Sequence, residues 1–193
     1  MPNKSTPVKK NNVSNPTNGS TATSLQHLFE DGLKDIYWAE SALIKALPKM
    51  LDKASDNKLK TAIKEHLDQT KDHVMRIESI FELIGQKPVA EKCEAMEGIL
   101  KEGDSTVQKA MEGPVRDAAI ISSSQRVEHY EIAAYGTLAA YAKTLNHREA
   151  LDLLLLTLGE EKKSDCLLST IADTNLNSQA MAGEFKPKKI KAV

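Results

Sequence analysis

Apolar residues recur every three or four positions along four long stretches of this chain, with no convincing strand alternation between them. The first predicted helix starts near Ser24 and runs to about Lys53, with the seam Phe29, Leu33, Ile36, Glu40, Leu43 and Leu47. Pro48 lacks an amide donor and is expected to bend its last turns. The second covers about Asn57 to Ile84, with Leu59, Ile63, His66, Thr70, His73, Ile77, Ile80 and Ile84, and stops at Gly85 and Pro88. The third opens at Pro114, a favoured first-turn residue, and continues to about Leu145 through Ile121, Ser124, Glu128, Glu131, Tyr135 and Leu138. The fourth follows the turn Asn146 to Arg148 and reaches about Ala172 through Leu151, Leu154, Leu158, Glu161, Asp165 and Leu168. A connector from Gln86 to Gly113 carries an apolar-patterned piece, Cys93 to Leu100, expected to form one or two short helices ended by Gly103. Two short turns make two antiparallel hairpins, and the long connector crosses between them. The predicted fold is all-α, an antiparallel four-helix bundle.

Each of the four seams is interrupted by acid or histidine. Counting back from each turn at about 1.5 Å per residue puts Glu131 level with Glu161 and Glu128 level with Asp165. Glu40 comes level with Thr70, within one turn of His66 and His73. All fall in the middle of the bundle, where solvent at the ends cannot hydrate them. Unpaired buried carboxylates cost several kcal/mol each, so a compensating charge is expected. Five carboxylates, Glu40, Glu128, Glu131, Glu161 and Asp165, are nearly balanced by two divalent cations. Carboxylate oxygens with imidazole nitrogens suit iron, manganese or zinc. The candidate metal ligands are therefore Glu40, His66, His73, Glu128, Glu131, Glu161 and Asp165. Tyr135, Tyr37 and Trp38 read as core residues, and His27, His129 and His147 as solvent-facing or terminal.

Composition narrows the remaining possibilities. The 193 residues suffice for one domain with a substantial core. The apolar runs, such as Leu153 to Leu156, fall far short of the roughly 18 residues of a membrane span. The N-terminus has lysines but no apolar h-region, which leads to the expectation of a cytoplasmic product. A formal net charge of -1 gives no reason to expect nucleic-acid binding. Cys93 and Cys166 lie far apart and form no paired redox or metal motif, so reduced thiols are expected. Residues 1–23 read as a disordered arm, 24–175 as the bundle, and 176–193 as a basic flexible tail around Lys186, Lys188, Lys189 and Lys191.

The segments DGLKDIYWAESALIKALPKM, EHLDQTKDHVMRIESIFELIGQKP, KCEAMEGIL, VRDAAIISSSQRVEHYEIAAYGTLAAYAKTL and LGEEKKSDCLLSTIA resemble the stress-induced YciE/YciF family of ferritin-like proteins. The resemblance covers about residues 24 to 175 and is most specific at VEHYEIAAYGTL. It implies a ferritin-like bundle related to rubrerythrins, a homodimer, and a dinuclear centre of two iron ions, with manganese or zinc as alternatives. Carried over by position, Glu40, Glu131 and Glu161 match the ferritin-like ligand pattern, and Glu128 matches the doubled acid of the rubrerythrin-like third helix. Thr70 stands where a glutamate three residues before His73 is expected, and Asp165 where related folds often carry histidine. The implied function is stress or oxidant defence through ferroxidase- or peroxidase-like chemistry on dioxygen or peroxide. An alternative from another class is a non-catalytic stress protein that acts through assembly or partner binding. Both stay open on the sequence, as does the choice between His66 and His73.

Overall fold

A computed structural model describes residues 22–184. The elements are α1 (Leu25–Lys53), α2 (Asn57–Leu83), α3 (Glu94–Lys109), α4 (Pro114–Thr144), α5 (Arg148–Ile171), a π-helical turn (Ala172–Leu176) and α6 (Asn177–Glu184). Local chemistry sets these limits. The Ser24 side chain accepts from the His27 amide, and Asp56 Oδ1 accepts from the amides of Lys58 and Leu59, so α1 and α2 each open with orphan donors satisfied. Gly85, with φ 71°, takes the left-handed conformation that closes α2. Asn146, with φ 64°, does the same in the turn between α4 and α5. Pro48 lies inside α1 on an exposed face, where water can replace the missing donor.

The hairpins α1/α2 and α4/α5 pack together through α1 on α4 and α2 on α5, while α3 lies across α4 and the end of α1. The core comes from the seam positions, including Phe29, Leu33, Ile36, Leu43, Leu59, Ile77, Ile80, Ile120, Leu138 and Leu154. Burial of each such side chain is worth about 1.5–3 kcal/mol. One buried acid ties the two hairpins end to end. Asp117, in the first turn of α4, accepts from the Ser55 amide at 2.7 Å, the Asp56 amide at 3.0 Å and the Ser55 hydroxyl. The α1–α2 turn is thereby fastened to the start of the second hairpin.

Two expectations need correction. The crossover holds one helix of 16 residues, within the one or two expected, but it passes through Gly98 and Gly103, where it was expected to end at Gly103. Gly103 is buried, and a Cβ there would meet Ser123 Cβ at 3.2 Å. This glycine lets α3 approach α4 closely and does not end the helix. The tail expected to be flexible from residue 176 instead continues as helix to Glu184, and Leu176 is buried. The basic residues beyond, and most of the N-terminal arm, lie outside the described residues.

Candidate metal centre

Six of the seven sequence-predicted ligands meet in one buried layer. Glu40, His73, Glu131 and Glu161 are fully buried, Glu128 is 2% exposed and His66 5%. They form two groups that share Glu161. One contains His66, Glu128, Glu131 and Glu161, and the other Glu40, His73 and Glu161, with donor atoms in each within 4.8 Å of one another. His66 Nε2 lies 3.6 Å from Glu128 Oε1, and His66 Nδ1 4.0 Å from Glu161 Oε2. His73 Nδ1 lies 2.9 Å from Glu161 Oε1 and 3.3 Å from Glu40 Oε1, off the hydrogen-bonding direction. Both helix α2 histidines therefore enter the layer, one in each group.

Asp165 is the exception. It is half-buried beside the layer and belongs to neither group. Its carboxylate accepts from Gln125 Nε2 at 3.1 Å and lies 3.4 Å from Nε2 of the exposed His129. The reason is angular. The residue that follows Glu161 by three on the inner face is Ser164, while a fourth step turns Asp165 outward. Ser164 Oγ donates to Glu128 Oε1 at 2.9 Å and sits 3.4 Å from His66 Nδ1.

This geometry explains how helix α2 manages without a carboxylate. Di-iron bundles commonly place one Glu on each of two helices and a Glu-x-x-His pair on each of the others. Here α2 carries Thr70-x-x-His73 and α5 carries Glu161-x-x-Ser164. The carboxylate missing at Thr70 is supplied by Glu128, one turn before Glu131 on α4. The imidazole missing at Ser164 is supplied by His66, one turn before Thr70 on α2. Thr70 itself is buried and donates its hydroxyl to the His66 carbonyl at 2.8 Å. The donor set keeps four carboxylates and two imidazoles, drawn from different helices.

The electrostatics of the layer demand positive charge. Burial, reinforced by Glu161, Glu40 and Glu128, holds the Glu131 carboxyl well above its ordinary pKa. Burial with the neighbouring Glu161 pushes Glu128 up to about 8, although His66 works the other way. Glu161 is raised as well, mainly by burial. Burial dominates at His66 and lowers its pKa. At His73 burial also lowers it, but Glu161 and Glu40 together prevail and raise it to about 10.

Three further side chains support the layer, Tyr135 of the expected core and two that the sequence did not single out. Tyr135, fully buried, donates its hydroxyl to Glu40 Oε1 at 2.5 Å, so its core hydroxyl is satisfied by a carboxylate of the layer. Glu160 Oε2 faces His73 Nε2 at 3.0 Å, and Arg76 grips both oxygens of Glu160. Arg76 follows His73 by three residues and Glu160 directly precedes Glu161. An opposite-charge pair at ligand height was the signal that could have revealed them. Of the apolar seam residues beside the layer, Leu43, Ile77 and Leu138 are buried, while Leu158 is half-buried.

All-α topology, paired hairpins and a carboxylate layer at mid-height define a ferritin-like four-helix bundle. The match with a solved two-domain protein from Anabaena variabilis that contains a ferritin-like domain agrees at the level of fold, with a TM-score of 0.58 at 17% identity over 90% of this chain and 42% of that one. The chain belongs to the family described as a domain of unknown function, DUF892, whose profile matches residues 24–181. It is 40% identical over 158 residues to protein YciF of Escherichia coli K12, covering 81% of this chain and 95% of that protein. The crystal structure of the E. coli stress protein YciF superposes with a TM-score of 0.77, covering 81% of this chain and 99% of that one. YcfI of Rhodopseudomonas palustris is similarly close, with 40% identity and a TM-score of 0.75 over 77% of this chain and 94% of that one. Among the described residues, no helix is long and apolar enough to cross a membrane.

Proposed function

We propose that this chain binds two transition-metal ions between its hairpins, with iron the leading choice, and works in stress defence by consuming a small oxidant. One observation carries the reading. Among the described residues, the buried side-chain polar atoms that lack a hydrogen-bond partner are eight, and all eight belong to Glu40, His66, His73, Glu128, Glu131 and Glu161. Native interiors rarely leave such atoms unpaired. Eight converging on one layer fit cation ligands. Four carboxylates offset two divalent ions, and the mixture of oxygen and imidazole donors suits iron or manganese, with zinc as a further candidate.

When bound, a redox-active pair of this kind supplies electrons to dioxygen or peroxide, which is ferroxidase- or peroxidase-like chemistry. The chain's own residues do the rest. Glu161, common to both groups, would help to hold each ion. Glu131 presents two free oxygens at the centre, and Leu43, Ile77 and Leu138 keep bulk water away. Tyr135 holds one oxygen of Glu40 and leaves the other free. By family resemblance the working unit is proposed to be a homodimer.

Metal analysis of the purified protein, followed by stopped-flow absorbance after mixing anaerobic ferrous protein with oxygen or peroxide, tests this reading. Near two equivalents of iron or manganese and a rapid oxidation phase, lost in Glu131→Ala, are expected. Failure to bind either metal at near two equivalents, with activity unchanged in Glu131→Ala, would sink it. Binding without an oxidation phase would favour a structural metal in a non-catalytic bundle.

A further inference from the structure

His73 is held on both sides by groups of different kinds. Nδ1 faces the ligand oxygens of Glu40 and Glu161, while Nε2 faces Glu160, whose side chain is 20% exposed at the seam between α2 and α5. A carboxylate only accepts when ionised, so the Nε2 proton must point at Glu160 Oε2, 3.0 Å away. Glu160 is itself prevented from turning. Arg76 Nη1 and Nη2 donate to its two oxygens in a bidentate fork, and Nη1 also donates to the buried Thr157 Oγ1 at 3.1 Å. The Arg76 charge neutralises Glu160, so this carboxylate adds no net negative charge to the layer.

We infer that Glu160, locked by Arg76 and Thr157, is a positioning residue that fixes the His73 tautomer with its proton on Nε2 and commits Nδ1 to the metal in the Glu40–His73–Glu161 half. A carboxylate behind a ligating imidazole orients the ring and raises its basicity. The inference rests on the metal reading above and adds a specific device to it. Among the described residues nothing equivalent backs His66; Ser164 Oγ sits 3.4 Å from its Nδ1 and donates to Glu128. The effect should therefore be confined to one of the two equivalents.

Cobalt(II) added to the full-length metal-free protein, followed by its visible absorption, reports affinity and ligand geometry together. Wild type is expected to take up two equivalents. Glu160→Leu should weaken one of them by about 10- to 100-fold and alter its spectrum, leaving the other unchanged. Glu160→Gln keeps an acceptor oxygen and should restore affinity to within a few-fold. A Glu160→Leu protein that titrates like wild type with the same spectrum overturns the role of Glu160 alone. A wild type that takes up no cobalt overturns the metal reading itself. A second measurement avoids any folding defect of the variant. Long-range proton–nitrogen correlation on zinc-loaded wild type should show His73 protonated at Nε2 and metal-bound at Nδ1, and the reverse assignment refutes the inference.

Discussion

The two halves of the layer share Glu161 yet differ in almost every other respect. The His66 half offers four residues, and its imidazole is kept neutral by burial. The His73 half offers three, and its imidazole, raised to about 10, carries a proton that a cation must displace. The supports are distributed in the opposite sense. His73 is backed by the Glu160–Arg76 pair and Glu40 by Tyr135, whereas among the described residues the first half has the Ser164 hydroxyl alone. One half is rich in ligands and lightly braced, and the other is poor in ligands and firmly braced. If the layer holds metal as proposed, affinity and geometric precision fall on different sides of one site. The His66 half should load first, and the His73 half should hold the more readily exchanged ion.

The largest effect should come from the residue the halves have in common. Glu161→Ala is expected to weaken both equivalents by more than the roughly 10- to 100-fold typical of a supporting residue. His73→Ala should abolish only the second equivalent, and His66→Ala should disturb the first. Isothermal titration of the metal-free variants separates these outcomes, and loss of both sites in His73→Ala would collapse the distinction between the halves.

Protonation gives an intermediate effect. Between about pH 4.5 and 8 the folded chain retains a proton on Glu128 that the unfolded chain has released, so stability falls as pH rises. His73 acts in the same sense between 6.5 and about 10. His66, with its lowered value, acts oppositely and only toward acid, where it costs stability as pH falls. In the overlap from pH 6.5 to 8 the melting temperature of metal-free protein should drop by on the order of 5 °C. Saturation with zinc should remove or reverse that slope, because the ions replace the protons. A flat profile in the metal-free protein would mean that the layer is hydrated.

The smallest effect tests the residue left outside both halves. Asp165→Asn should change either affinity by less than about twofold, as for a substitution beside the site. A large loss in the same titration would return Asp165 to the ligand set.

Helix limits and pairing were legible because seams and punctuation agreed, as with Ser24, Gly85 and Pro114 at the ends of α1, α2 and α4. Six members of the buried layer were legible because an acid or imidazole on an apolar seam stands out against its neighbours. The position of Asp165 outside both groups was not legible because axial counting locates height and leaves the angle about the helix unresolved. Gly103 was misread because a packing glycine and a terminating glycine look alike until the neighbouring helix is in place. Glu160 and Arg76 were passed over because each alone reads as an ordinary surface charge. Only their meeting across two helices gives them a role.

The Asp117 fastening at the α1–α2 turn matters for axial alignment. Glu40 stands 15 residues before Ser55, about 22 Å along α1 from that anchor. Sliding one hairpin by a single turn, about 5.4 Å, would carry Glu40 and His73 past Glu131 and Glu161 while most apolar seam contacts found new partners. Hydrophobic packing alone tolerates such a slip. An acid that accepts from two backbone amides and a hydroxyl at one fixed point does not. Asp117 therefore works as the zero mark of a ruler, by which a distant turn decides whether two half-sites meet at the same height.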